Sequence, residues 1–278
     1  MANETTSTTL DDLFANIIAQ ARFTAEEQSL MLGLVTQYNI AGQAGKTIQV
    51  PKYPAIAAAG LTEGTDMSST TVSTSSVEVT VGEVGAQVVL TDLAAMGAGN
   101  PADELGTVLG NAIATKIDTD LIGLFTGFSA GFGAAAAELA VSDLFKAAAT
   151  LRANKVTGSM AAVVHPFQAY QLKAGLTNTF ANPNGGDLQN EAMRNGYVGS
   201  IAGIDVYESA NVAIDGNDDA IGAVFAPEAL AIALKSDFNL EVQRDASLRA
   251  NELNATAVYG VAELDDSFGV KITADAAL

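Results

Sequence analysis

The sequence predicts an α+β chain, and three observations predict it. Residues from Gly45 to Asp92 alternate apolar and polar side chains in the two-residue period of strands, whereas Asn100 to Phe125 repeats its apolar residues at three- and four-residue steps. Beyond Gly133, helical runs and short apolar runs trade places with no internal repeat.

The elements follow in chain order. Asp11 to Tyr38 reads as helical, with Leu13, Phe14, Ile17, Ile18 and Ala21 at helical intervals. A second piece starts at Thr24, where Thr24-Ala25-Glu26-Glu27 fits a capping box: hydroxyl and carboxylate satisfy opposing orphan amides. Lys46-Thr47-Ile48-Gln49-Val50 then alternates as a strand, which Pro51 and Pro54 are expected to stop. The pattern resumes near Ser76. Val77, Val79 and Val81 share one parity, but Val84, Ala86, Val88 and Leu90 share the other, so a bulge or bend falls between Gly82 and Gly85. The reading is a long, bent β-hairpin. Its tip, 55–76, holds Gly60-Leu61-Thr62-Glu63-Gly64 and Ser68-Ser69-Thr70-Thr71, too poor in bulky groups to fold on itself.

Next comes the clearest element. Asn100 is placed to cap a helix, Pro101 to occupy its first position, and Asp103 and Glu104 to meet the positive end of its dipole. Leu105, Val108, Leu109, Ala112, Ile113, Ile117, Leu121, Leu124 and Phe125 mark its apolar face, with Leu105, Leu109, Ile113, Ile117 and Leu121 as the expected core line. After the glycine-rich stretch Gly127 to Gly133 come a helix from Ser142 through Leu151, a buried strand at Met160 to Val164, and a helix opened by Pro166. Asn182-Pro183-Asn184-Gly185-Gly186 reads as a turn before a short helix from Asp187 to Asn195, and Tyr197 to Tyr207 as a hairpin around Ala202-Gly203. Further strands are expected at Ala220–Phe225, Leu230–Leu234, Leu240–Arg244, Ala255–Leu264 and Phe268–Ile272.

Charge and composition exclude several functions. With 32 acidic against 13 basic residues the net charge is -19, so binding of nucleic acid by phosphate neutralisation is excluded. No cysteine and a single histidine leave no disulfide framework, thiolate site or imidazole-rich metal centre; no cofactor is expected. Met1-Ala2-Asn3-Glu4 does not open a secretory signal or transit peptide. The uncharged run Leu121 to Ala137 only just reaches the length that crosses a bilayer, about 17 residues, and its flanks are Asp120 and Glu138 rather than Lys or Arg. No membrane span is expected.

Candidate chemistry dissolves on inspection. Gly127-Phe128-Ser129-Ala130-Gly131 matches a hydrolase nucleophile elbow, with Asp143 and His165 following in order, but the elbow must join a strand to a helix and here it follows a helix. His165 is better read as a strand-end residue bonded to backbone. Asp215-Gly216-Asn217-Asp218-Asp219 starts like a calcium loop, yet Ala220 and Ala226 stand where glycine and a bidentate glutamate are needed. Gly97-Ala98-Gly99 lacks the remaining residues of a phosphate cradle. Catalytic, cofactor-binding and metal-binding residues: none are expected, and the chain is not expected to be an enzyme.

What remains is a mismatch. The hairpin lobe and the N-terminal segment cannot bury much of themselves, whereas the central helix and later strands can form a core. Projecting parts of that kind gain stability from other copies, which points to an assembling structural protein.

The Gly45 to Asp92 lobe leading into the Asn100 to Phe125 helix, and Ala161-Ala162-Val163-Val164-His165-Pro166 followed by Tyr170 and Leu172, resemble tailed-phage major capsid proteins of the Hong Kong 97-type fold. Gly203-Ile204-Asp205-Val206-Tyr207 is similar to their later glycine-led strand. The resemblance implies an N-terminal arm (1–44), an extended β-hairpin loop (45–92), a spine helix with its glycine-rich connection in a peripheral domain (93–140), and an axial domain whose strands return to the peripheral domain (141–278). It further implies hexamers and pentamers in an icosahedral head, portal and scaffolding partners, and enclosed double-stranded DNA without sequence-specific binding. The location implied is the virion capsid. Contact between subunits would fall to the loop at Lys46, Lys52, Leu61, Glu63 and Asp66. An encapsulin-type nanocompartment shell is the alternative within the same fold; a surface adhesin rich in Thr and Ser is a third class, weakened by the missing signal. The acidic charge suits a wall that repels packaged DNA.

Overall fold

The computed structural model describes residues 29–54, 56–58, 60–64, 66, 69, 71–93, 101–179 and 197–277, with backbone alone at 101–104, 176–179 and 197–199. The readings at 11–28, the Asn100 cap, the side chains of Asp103 and Glu104, and the turn and helix within 182–195 lie outside the described residues. Among the described residues the strands are β1 (Thr36–Asn39), β2 (Thr47–Lys52), β3 (Ser75–Thr80), β4 (Gly82–Thr91), β5 (Gly131–Gly133) and β6 (Met160–Val164). They continue with β7 (Tyr197–Ile201), β8 (Ile204–Glu208), β9 (Asp219–Phe225), β10 (Leu230–Asp245), β11 (Ala250–Glu263) and β12 (Gly269–Asp275). The α-helices are α1 (Pro101–Gly123), α2 (Val141–Ala153) and α3 (Pro166–Thr179).

These strands make three sheets. One has the order β1-β10-β11-β4, a second β5-β12-β9-β6-β8-β7, and the third is the two-stranded β2-β3. Helix α1 lays Leu109, Ile113, Ile117 and Leu121 against the first sheet, where Leu240, Leu253, Ala255 and Ala257 meet them in one core. Phe125, Phe128 and Phe225 close its end, with the Phe125 and Phe225 ring centroids 5.5 Å apart. A second core fills the space between α2, α3 and the six-stranded sheet, built on Leu144, Leu151, Leu172, Ile204 and Val270. The all-apolar β6 is buried along its whole length because it lies inside that sheet, between β9 and β8.

Four expectations change. Residues 36–38, read as helix, form β1, which pairs parallel with the start of β10 from Thr36↔Ala231 to Asn39↔Leu234. Their only helical neighbour in the described part is a single 3-10 turn at Met31–Gly33. Pro51 does not stop β2: it lies within the strand opposite Ser76, and a two-stranded ribbon tolerates its missing donor. The bent hairpin is really a hairpin plus a departure. β2 pairs only with β3, and at Val81 the chain leaves that ribbon so that β4 can join β11. The parity switch therefore marks a change of sheet rather than a bulge. Finally, the two strands read at Leu230–Leu234 and Leu240–Arg244 are one 16-residue strand, whose register shifts near Ser236 absorb the polar Lys235-Ser236-Asp237.

On α1 the buried stripe is turned from the expected one. Val108 is 56% exposed and Ala112 is exposed, while Gly106, Gly110, Ala114, Asp118 and Ile122 are buried. Small residues allow the helix to lie close on that side, and a charged residue hid the stripe from a search for apolar letters. The Ala202-Gly203 hairpin is as expected, with φ of 58° and 81° at its two turn residues.

Candidate assembly surfaces

The lobe stands on a small core of its own. Val79 and Val81 pack with Ile40 and Ala233, and Ile48, opposite Val79 in the ribbon, joins them. Gly260 on β11 makes the crossing possible, because a Cβ there would collide with the Thr80 carbonyl and crowd Val81. Beyond Lys52 the apolar side chains lose their cover: Tyr53, Ile56, Leu61 and Val72 are exposed, Leu61 by 67%. Glu63 and Asp66 are exposed on the same tip. Of the two predicted lysines, exposed Lys46 offers its backbone carbonyl to Val81 N–H at 2.9 Å, and Lys52 pairs with Asp265 at 2.7 Å. The Lys235 amine reaches the Gly45 carbonyl.

Asp265 sits in the link between β11 and β12, where its Oδ1 also accepts from the Ser267 amide and hydroxyl. Burial works to raise this carboxyl, but the bonds from Lys52 and Ser267 outweigh it and hold it below the usual value. Glu263 nearby is raised by burial and then by the charges of Asp266 and Asp265. At the opposite end of the long sheet Leu93 and Leu248, both exposed, lie beside the bond from Asp92 N–H to the Arg249 carbonyl. Arg244 grips Asp92 there with two bonds of 2.6 and 2.7 Å, which lowers the Asp92 carboxyl.

Sequence reasoning missed Asp118. It is 1% exposed on the inner side of α1 and has four donors: Ser29 Oγ at 2.7 Å, Met31 N–H at 3.1 Å, Leu30 N–H at 3.2 Å and Asn211 Nδ2 at 3.4 Å. Burial raises its carboxyl, and these bonds oppose the rise without cancelling it. One buried acid thus ties the incoming chain at 29–31 and the loop after β8 to the middle of α1. The available signal was an aspartate one turn after Ala114 and one turn before Ile122, where a helix facing a core should carry an apolar or small residue. A second acid, Asp120, accepts from Lys116 and from the Tyr259 hydroxyl, and burial together with that bond raises Tyr259 far above an ordinary phenol.

The residues that imitate active sites have structural duties. Ser129 donates its amide to Asp266 Oδ1 at 2.7 Å, Asp143 pairs with Lys146 at 2.8 Å, and His165 is buried at the head of α3. His165 Nδ1 accepts from Phe167 N–H at 3.2 Å, and Gln168 Oε1 accepts in return from His165 N–H at 3.2 Å. That is a capping box with an imidazole in the hydroxyl's place. It leaves the ring proton on Nε2. Burial lowers the imidazole's pKa. Gln168, wholly buried and missed in the sequence, donates to the Ala220 and Ala274 carbonyls at 2.9 Å each and so pins α3 to β9 and β12. Asp215 Oδ1 caps its own turn by accepting from the Asn217 and Asp219 amides. Among the described residues no group of three acidic or histidine side chains could hold a metal ion, and no helix is long and apolar enough to cross a membrane.

The predicted core line is one surface: Leu109, Ile113, Ile117 and Leu121 are buried together, and Leu105 packs half-buried at their edge. The predicted contact residues divide, with Leu61, Glu63 and Asp66 at the tip and Lys46 and Lys52 near the body.

Comparison with known proteins gives a family match and a set of similar folds. The family model described as phage capsid protein matches residues 73–272, well over half the chain. No curated protein sequence matches. Among solved structures, the capsid of the cyanophage P-SCSP1u superposes with a TM-score of 0.71 at 17% identity, covering 88% of each chain. A structure from Mycobacterium phage Che8 gives 0.66 at 20% identity over 82% of this chain and 85% of that one. A virus-like particle from Pyrococcus furiosus gives 0.64 at 11% identity over 93% and 98%.

Proposed function

The chain belongs to the phage capsid protein family, and from that premise we propose how it builds a shell: the lobe between β2 and β3 reaches over an adjacent copy. The protein is a structural major capsid protein of the virion, with the α+β architecture of Hong Kong 97-type capsids, and it assembles into a multimeric shell. The finer reading is an icosahedral head of hexamers and pentamers around double-stranded DNA, built with portal and scaffolding partners and without catalytic activity. Its parts are an arm (1–44), an extended loop (45–92), a spine segment (93–140) and an axial region (141–278).

One observation carries the lobe's role. A two-stranded ribbon is at best marginally stable alone, yet this one projects a tip whose Tyr53, Ile56, Leu61 and Val72 are all exposed. Glu63 and Asp66 supply charge around them, and Lys46 carries charge at the base of the ribbon. Such a tip gains its burial from a second copy. The long core behind it, with Leu105, Leu109, Ile113, Ile117 and Leu121, supplies the rigid body that is tiled. An encapsulin-type compartment shares the fold, but the family match favours a genome head.

Removing residues 57–66 is the test. Far-UV circular dichroism should stay that of a folded subunit, while electron micrographs should show no shells. Normal shells from that variant would take the lobe out of assembly.

A further inference from the structure

The link from Glu263 to Gly269 is where separate parts of the subunit meet. Ser129, just past the end of α1, donates its amide to Asp266; Asn154, at the end of α2, donates to the Ser267 carbonyl at 2.7 Å; Leu264 and Asp265 donate their amides to the Ala229 carbonyl. To this junction the lobe adds one tie of its own, from Lys52 to Asp265 at 2.7 Å.

The position of that tie matters. The lobe's apolar footing ends with Ile48 and Val79, and Lys52 lies four residues farther toward the tip, about 13 Å along an extended strand. Lys52 therefore grips the lobe beyond its own core. We propose that the Lys52–Asp265 pair is a latch that fixes the direction in which the lobe projects from the body in the unassembled subunit and opens to let the lobe swing onto a neighbouring copy. The side chain of Lys52 remains 47% exposed and that of Asp265 18%, so water and salt have access to the pair. An ion pair of this exposure biases an equilibrium by about fivefold at most, which suits a contact that must open. The Asp265 end is fixed by the Ser267 amide and hydroxyl, so opening swings the lysine and the lobe while the junction stays. Glu263 and Asp266 flank Asp265 with the same charge and would reject an acid at position 52. This role rests on the lobe being an intersubunit contact.

The chain has no cysteine, so paired labels at Leu61→Cys and Thr119→Cys report one distance between the lobe tip and the exposed side of α1 in unassembled subunits. The parent is expected to show one dominant distance, that of the closed pair. Lys52→Met, Asp265→Asn and raised salt should each increase the population at other distances, up to about fivefold, and the double variant should add nothing to either single one. Asp265→Asn keeps an oxygen for the Ser267 bonds, and Lys52→Glu should open the lobe furthest. Equal thermal midpoints among the variants establish that the subunit is folded. Unchanged distance distributions in Lys52→Met and Asp265→Asn overturn the latch. The measurement needs no shell, so intact shells after removal of 57–66 would overturn the contact role while leaving the distance result standing.

Discussion

Replacing Asp118 with alanine is expected to destabilise the unassembled subunit by about 2–4 kcal/mol. The carboxylate serves four donors, and two of them come from residues that stay dry without it: Ser29 and Met31 are both buried. Leaving a buried donor without an acceptor costs about 1–3 kcal/mol, so two give about 2–6. Against this, alanine removes a carboxylate whose own burial is unfavourable, as its raised pKa shows, and that trims the loss to the stated range. Asp118→Asn preserves shape and one carbonyl acceptor and should lose roughly half as much. The assay is urea unfolding followed by far-UV circular dichroism. Acid adds a sign. The folded pKa of Asp118 lies above its unfolded value near 3.8, so its contribution is fully present below 3.8 and is lost as pH rises through the folded pKa. The parent should therefore gain on the Asp118→Asn variant as pH falls through that window. Stabilities of both variants within about 0.5 kcal/mol of the parent would refute the reasoning and leave Met31 packing alone to hold the chain at 29–31.

Two further outcomes are expected. Gly269→Ala would place a Cβ in collision with the fully buried Phe128 ring, so its urea midpoint should fall by an amount matching about 1–3 kcal/mol; an unchanged midpoint would show that the ring has room to move. His165, the chain's one histidine, has its pKa lowered by burial, so its contribution is present above the unfolded value of 6.5 and is lost as pH falls through the folded pKa; unfolding midpoints measured down that window should drop in the parent and stay level in His165→Asn, and parallel curves would refute the cap.

The sequence reveals elements whose signal is local and periodic. β6, the Pro166 helix start, the Ala202-Gly203 turn and the line Leu109, Ile113, Ile117, Leu121 follow from rules that act within a few residues. Features set by distant partners do not show. Asp118 and Gln168 look like surface letters because their partners, Ser29 and Asn211 in one case and Ala220 and Ala274 in the other, lie 52 to 106 residues away. The continuity of β10 was hidden by Lys235-Ser236-Asp237, whose pairing with β11 is irregular. In the candidate surface, the exposed tip was legible from its poverty in bulky residues, while the Lys52–Asp265 pair joins positions 213 residues apart in the numbering, 265 against 52, and no local pattern records it.

The single residue Val81 separates two sheets, and this bears on how such chains can drift in length. None of the described residues between Lys52 and Ser75 has a strand partner, and doubling a free loop costs only about 0.6 kcal/mol, so relatives can gain or shed residues there cheaply. Between Thr80 and Gly82 one inserted residue would shift β4 by a step and turn Val84, Ala86 and Val88 outward, away from the core they now border. Variation in lobe size is thus permitted only on the far side of a frame-sensitive joint.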